Sequence, residues 1–122
     1  MQSTRSEPPP IARWLNDILE NIPLAQSFVG ELEREAFCAD TLRVYGVTRW
    51  LEIISEASRR LPDDLKARHP SIAWKEMAGA GSVYRHDYEE VDAEEVWVTV
   101  QDHLPLLCAV VEHELSMLDG AA

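Results

Sequence analysis

The stretch Thr41–Leu61, TLRVYGVTRWLEIISEASRRL, decides the fold. Val47, Trp50, Leu51, Ile54, Ala57 and Leu61 recur at three- and four-residue spacing, while Arg43, Arg49, Glu52, Glu56 and Arg59 lie mostly off that pattern. An α-helix turns once in ~3.6 residues, so the first set makes one apolar stripe and the second a solvated face. Asp40 or Thr41 stands where an N-cap is needed, and Pro62 stops the helix.

Upstream, Ile11, Trp14, Leu15, Ile18 and Ile22 make a second stripe, and Pro23 is expected to kink or interrupt that helix near Asn21. Leu24–Phe37 reads as a helical continuation and then a looser connection through Gly30. Downstream, Asp63 can cap a short helix, DDLKARH, that ends at Pro70, and Ser71 is placed to cap a central helix beginning near Trp74. Gly79 and Gly81 within that helix would cost ~1 kcal/mol each relative to Ala. Such a cost fits close approach of a packed helix or, less commonly, of a ligand. Val91 and Asp92 open the last helix, with Asp92 and Glu95 in capping-box spacing. Val96, Val100, Leu104, Leu107, Val111 and Leu115 line one face of it, and Pro105 is expected to kink it. No strand-like alternation and no internal repeat is visible. The pattern predicts an all-α bundle of four or five helices over residues 11–118, with 1–10, MQSTRSEPPP, as a disordered lead-in.

At 122 residues the chain can bury one core. No run approaches the ~18 apolar residues of a membrane helix, and the N-terminus lacks a secretory apolar segment. Cys38 and Cys108 stand far apart among apolar or small neighbours, which suits two reduced core thiols in the cytoplasm and no metal site or disulfide framework. The net charge of −11 argues against a broad nucleic-acid surface. Its distribution is uneven: net −4 over residues 1–42, +3 over 43–85 and −10 over 86–122. The basic part ends at Arg85. A positive cleft framed by acidic flanks is one reading of this; an acidic solvated last helix is the plainer one.

Beside that boundary lies Trp74–Tyr88, WKEMAGAGSVYRHDY, which ends in Arg85, His86, Asp87 and Tyr88. An imidazole shuttles protons near neutral pH and a guanidinium holds phosphate through paired hydrogen bonds. Together they make a candidate phosphodiester-handling site, although a His beside an Arg is more often a solvated helix end. No P-loop, zinc-protease or nucleophile-elbow motif is present, and His69, His103 and His113 lack ligand spacing. His103 and His113 fall on the polar face of the last helix.

LNDIL at 15–19, RWLEIISEASRRLPDDLKARHPSIAW at 49–74 and HDYEEVDAEEVWVTVQDHLPLL at 86–107 resemble the HepT-like branch of the HEPN superfamily. The likeness covers roughly residues 13–111. It implies a HEPN-type bundle that pairs as a homodimer, and a metal-independent endoribonuclease without cofactor. The implied setting is a toxin–antitoxin pair in the cytoplasm, with a small nucleotidyltransferase of the MNT type as antitoxin and RNA as substrate. Trp14, Val83, Tyr84 and Trp97 are candidates for the symmetric interface. The family signature is R-x-x-x-x-H-x-Y, often with Asn after the Arg. His86 and Tyr88 match it, Tyr88 being the implied adenylylation acceptor; Gly81 stands at the Arg position and Ser82 at the Asn position. On a continuous helix Arg85 would lie one turn beyond Gly81, on the same face, and could lean its guanidinium over the glycine. The catalytic pair is then Arg85 and His86, with Gly81, Ser82 and Asp87 in support. The alternative is a catalytically degenerate HEPN dimer that binds a protein or a nucleotide.

Overall fold

In the computed structural model, which describes residues 10–80, 84–85 and 90–120, the quoted stretch is helix α3 (Thr41–Arg59). Asp40 is its N-cap: the carboxylate accepts the Arg43 amide at 3.2 Å and the Arg43 Nε at 3.1 Å. Val47, Leu51 and Ile54 are fully buried. They meet helix α1 (Pro10–Val29), whose Leu15, Ile18, Ile22, Ala25 and Val29 are buried in turn. Pro23 lies inside α1, which runs on through it, so of the kink or interruption expected there the interruption does not occur. Losing one donor costs the helix about 3 kcal/mol. Burying Ala25 and Val29 beyond it, at ~1.5–3 kcal/mol for a Val side chain, helps offset that loss. At Gly30, φ is +63° and its amide bonds the Gln26 carbonyl at 3.0 Å, a left-handed stop. The close approach of α1 and α3 is made at Gly46, where a Cβ would fall 2.2 Å from the Phe28 ring.

Helix α2 (Arg34–Ala39) is a short element within what reads as a loose connection; it is anchored by the fully buried Phe37, whose ring lies 5.7 Å from that of Trp97. Helix α4 (Asp63–Ala67) is capped in position by Pro62, so Asp63 opens its first turn and does not cap it. Helix α5 (Trp74–Ala78) has only five residues; Ala73, not Ser71, occupies its N-cap position. Trp74 staples α5 to α4, its indole N–H shared between the carbonyls of Lys66 and His69, both at 3.0 Å.

The central helix therefore ends at Ala78 and does not run to Tyr88. In a longer helix the Ala78 carbonyl would accept an amide four residues on. Here it accepts Ser55 Oγ at 2.6 Å and Arg59 Nη1 at 2.5 Å, both from α3. Gly79 follows as a C-cap, where a Cβ would meet only the Lys75 and Glu76 carbonyls at ordinary contact, so among the described residues no neighbouring helix crowds it. A two-residue ladder comes next: β1 (Tyr84–Arg85) pairs antiparallel with β2 (Glu90–Val91), Tyr84 opposite Val91 and Arg85 opposite Glu90. Val91 thus belongs to β2 and not to the last helix.

Asp92 caps helix α6 (Ala93–Val98), accepting the Glu95 amide at 3.3 Å. A π-helical turn, Thr99–His103, leads into helix α7 (Leu104–Gly120). The Leu104 amide bonds back to Thr99, five residues earlier, immediately before Pro105. A proline ring crowds the carbonyl four residues behind it, and the widened turn is the local answer where a kink was expected. Val96, Val100, Leu104, Leu107 and Val111 complete the core, α7 packing on α1. Among the described residues the fold is three long helical rods, α1, α3 and α6–α7, with three short helices between them. It is all-α, as expected, with six helical units when the continuous α6–α7 rod is counted once. Trp14 and Trp97, considered for an interface, are both half-buried against the monomer core, Trp14 beneath the guanidinium of Arg60 at 5.1 Å.

Candidate functional site

The residues singled out for chemistry fall where the chain passes from α5 to α6. Of these, the structure describes only the backbone of Arg85, in β1 opposite Glu90. Gly81, Ser82, His86, Asp87 and Tyr88 lie outside the described residues, as does the 1–9 part of the lead-in. The helical relation between Arg85 and Gly81 is overturned, because Arg85 stands in a strand. What the structure fixes is the two ends of the stretch. At its start, Ser55 and Arg59 hold the Ala78 carbonyl, with Ser55 fully enclosed and Arg59 Nη1 also donating to Ser55 Oγ at 3.0 Å. At its end, the ladder sets the Arg85 backbone directly opposite that of Glu90.

Beside β2 lies a cleft of about 400 Å³. Cys38, Thr41, Val44 and Tyr45 line it from the α2–α3 corner; Val91, Ala93 and Glu94 line it from β2 and α6, with Asp92, the α6 N-cap, between them. Arg34 forks onto Glu94, its Nε donating to Oε1 at 2.6 Å. Cys38 Sγ donates to Glu94 Oε2 at 3.5 Å. Burial pushes the Cys38 thiol above its ordinary range, and the neighbouring Glu94 pushes it the same way, so this cysteine stays protonated near neutral pH.

A second polar cluster escaped the sequence reading. Glu114 of α7 is buried, accepts Arg68 Nη2 at 2.9 Å and stands 2.5 Å from His69 Nε2. His113 stacks edge-on to His69 at 5.9 Å, and a hollow of about 280 Å³ opens beside them. The signal was present in Glu114 itself, an acid falling among Val111 and Leu115 on the apolar stripe of the last helix.

The basic middle of the chain is largely paired. Arg43 bonds Asp40, Arg49 bonds Glu52, Arg59 and Arg60 share Glu56, and Arg68 bonds Glu114. Among the described residues Arg13, Lys66 and Lys75 are the cations outside such pairs. Among them also, no three His, Cys, Asp or Glu converge as metal ligands, and no helix is long and apolar enough to cross a membrane.

Comparison with known proteins places both ends of this stretch inside one family match. The HepT-like family, described as ribonuclease HepT-like, matches residues 18–114. A Thermococcus cleftensis protein named "Probable ribonuclease HepT" is 42% identical over 94 residues, covering 77% of this chain and 86% of its own. A Methanocaldococcus jannaschii protein named as a candidate RNase is 33% identical over 110 residues, 90% of this chain and 91% of its own. A second from that organism is 32% identical over 102 residues, 84% and 94% of the two chains. No solved structure gives a significant match. With the match spanning most of the chain, from α1 to α7, this protein belongs to the HepT-like ribonuclease family.

Proposed function

We propose that this chain is a metal-independent endoribonuclease of the HEPN type, the toxin of a toxin–antitoxin pair, working as a homodimer in the cytoplasm. Membership of the HepT-like family carries the reading, since the match runs through the whole Trp74–Tyr88 stretch. In the proposed reaction the ribose 2′-oxygen attacks its own phosphorus and the bond to the 5′-oxygen breaks. His86 takes the 2′-hydroxyl proton or supplies one to the leaving oxygen, and a 2′,3′-cyclic phosphate and a free 5′-hydroxyl result. Arg85 holds the phosphate and its developing charge. Its place in β1 supports a phosphate contact made from a strand end, with the ladder fixing the backbone. Two such sites facing across a dimer would cradle a strand that so small a domain could not hold alone.

The test is cleavage of a mixed RNA pool without metal by partner-free protein. Arg85→Ala should lower the rate about tenfold to a hundredfold, the loss of one charge-assisted contact. His86→Ala should lower it by ~10²–10⁴, the range of general acid–base catalysis. Wild-type protein that leaves the pool intact would overturn the nuclease reading. A cognate nucleotidyltransferase with ATP should add AMP at Tyr88, the phenol oxygen attacking the α-phosphorus as pyrophosphate leaves. Intact mass would show the adduct and Tyr88→Phe should abolish it; an adduct that persists in Tyr88→Phe would refute this acceptor. Gly81 at the signature arginine position and the −10 charge of residues 86–122 favour a second reading, a degenerate HEPN dimer that binds a basic partner protein.

A further inference from the structure

We propose that the cleft between the α2–α3 corner and the start of α6 is a nucleobase subsite for the RNA strand, preferring guanine. The proposal rests on the ribonuclease reading and gives it a substrate preference.

A volume of about 400 Å³ falls within the ~300–1,000 Å³ of small-ligand sites. Val44, Val91 and Ala93 give it an apolar wall, and Tyr45 stands at the rim with 43% of its surface exposed. A half-exposed ring in such a lining offers a face on which an unstacked base can lie. The polar part of the lining selects which base. Glu94 is an acceptor with room for more than one donor at each oxygen. Arg34 occupies Oε1, while Oε2 receives the S–H of Cys38, a weak donor that a base N–H can displace. Guanine presents N1–H and the N2 amino group side by side, two donors for one carboxylate. Adenine and cytosine offer one amino group, and uracil a single N–H between two carbonyls. The acidic lining disfavours a phosphate in the cleft, so the occupant is the base and not the backbone. Arg34 offsets the Glu94 charge and lets a polyanion come near. Position agrees: Val91, on the wall, is paired with Tyr84, the neighbour of Arg85. A base seated here would belong to a nucleotide close to a phosphate held by Arg85 on the proposed reading.

Two measurements test this on the full chain. In amide NMR titrations with GMP, AMP, CMP and UMP, GMP should give the largest shifts, at Cys38, Thr41–Tyr45 and Val91–Glu94. Tyr45→Ala should weaken GMP binding by about fivefold to a hundredfold, the range for loss of one stacked base, while Tyr45→Phe should not. Glu94→Gln should erase the preference for GMP over AMP. In sequenced cleavage products guanine should be enriched at one position beside the cut, and Tyr45→Ala should flatten that enrichment. GMP shifts in the cleft from a protein that cleaves nothing would sink the ribonuclease reading and keep the subsite. Cleavage whose base preference ignores Tyr45→Ala and Glu94→Gln, or GMP shifts that map elsewhere, would overturn the subsite and leave the ribonuclease standing.

Discussion

Glu114→Ala removes an acceptor that three donors share. The carboxylate is 8% exposed and receives Arg68 at 2.9 and 3.4 Å, with His69 Nε2 at 2.5 Å. Hydrogen bonds to a charged group are worth ~1.5–3 kcal/mol each, but the Arg68 side chain is 53% exposed and returns to water, so its share is discounted. His69, 17% exposed, has no such recourse. The expected loss is ~1–3 kcal/mol, which for a domain of this size lowers Tm by about 4–12 °C. Burial alone would raise the Glu114 pKa; the hydrogen bonds and charges of Arg68 and His69 outweigh it, and the net shift is downward from the ordinary 4.5. A depressed carboxylate stabilises the fold above its unfolded pKa, and that contribution is lost as pH falls through its folded pKa. The penalty of Glu114→Ala should therefore be full at pH 7 and shrink at pH values below 4.5. Circular-dichroism melts of wild type, Glu114→Ala and Glu114→Gln at both pH values read this directly, the amide recovering part of the loss. An unchanged Tm at pH 7, or a penalty as large in acid as at neutrality, would refute the assignment.

Ser55→Ala and Arg59→Ala each leave the Ala78 carbonyl one donor, and the double variant leaves it none. Urea unfolding should show the pair costing more than the two singles together, by ~0.5–3 kcal/mol; strict additivity would mean the two do not share that oxygen. Gly46→Ala should destabilise by ~1–3 kcal/mol because its Cβ meets the Phe28 ring at 2.2 Å, and should become neutral or favourable in a Phe28→Ala background. A penalty unchanged by removing Phe28 would place the crowding elsewhere. RNA binding should lose affinity with salt at a slope of no more than about four neutralised phosphates per chain, one each for Arg13, Lys66, Lys75 and Arg85; a slope of six or more would contradict the pairing of the arginines.

Periodicity made the three long rods legible, because each carries a stripe of large apolar residues long enough to outweigh local exceptions. Pro23 shows the limit of such reasoning. Its cost is local, whereas the stripe that continues through Ala25 and Val29 is settled by packing on α3. The caps at Asp40 and Asp92 were readable since a capping carboxylate acts within three residues of itself. What sequence spacing could not show was the end of α5. That end is decided by Ser55 and Arg59, some twenty residues upstream, which take the carbonyl a longer helix would need. The strand position of Arg85 follows from the same event, so an inference that treated residues 74–88 as one helix misplaced the arginine. The Glu114 cluster was hidden for a related reason: its members are 45 and 46 residues apart in sequence.

Net charge by segment invites the idea of a basic cleft over residues 43–85. Pairing removes most of it, since five of the arginines there each meet an aspartate or glutamate, four of them within four residues on their own helices or caps. A cation so engaged adds little long-range field, because its partner cancels it beyond a Debye length of about 8–10 Å. An RNA strand approaching this protein would therefore meet an acidic molecule with few uncommitted cations, among the described residues Arg13, Lys66 and Lys75. Such a surface cannot draw RNA by bulk attraction. On the proposed reading its affinity comes from contacts at short range: a guanidinium at the phosphate, a base lying on a ring, an edge read by a carboxylate. Each of these demands a backbone held in place, which is what the Ala78 latch and the Arg85–Glu90 pairing supply at the two ends of the stretch. Under the proposed ribonuclease reading, poor electrostatic capture and tight local positioning belong together, because such an enzyme acts only where a strand fits the site.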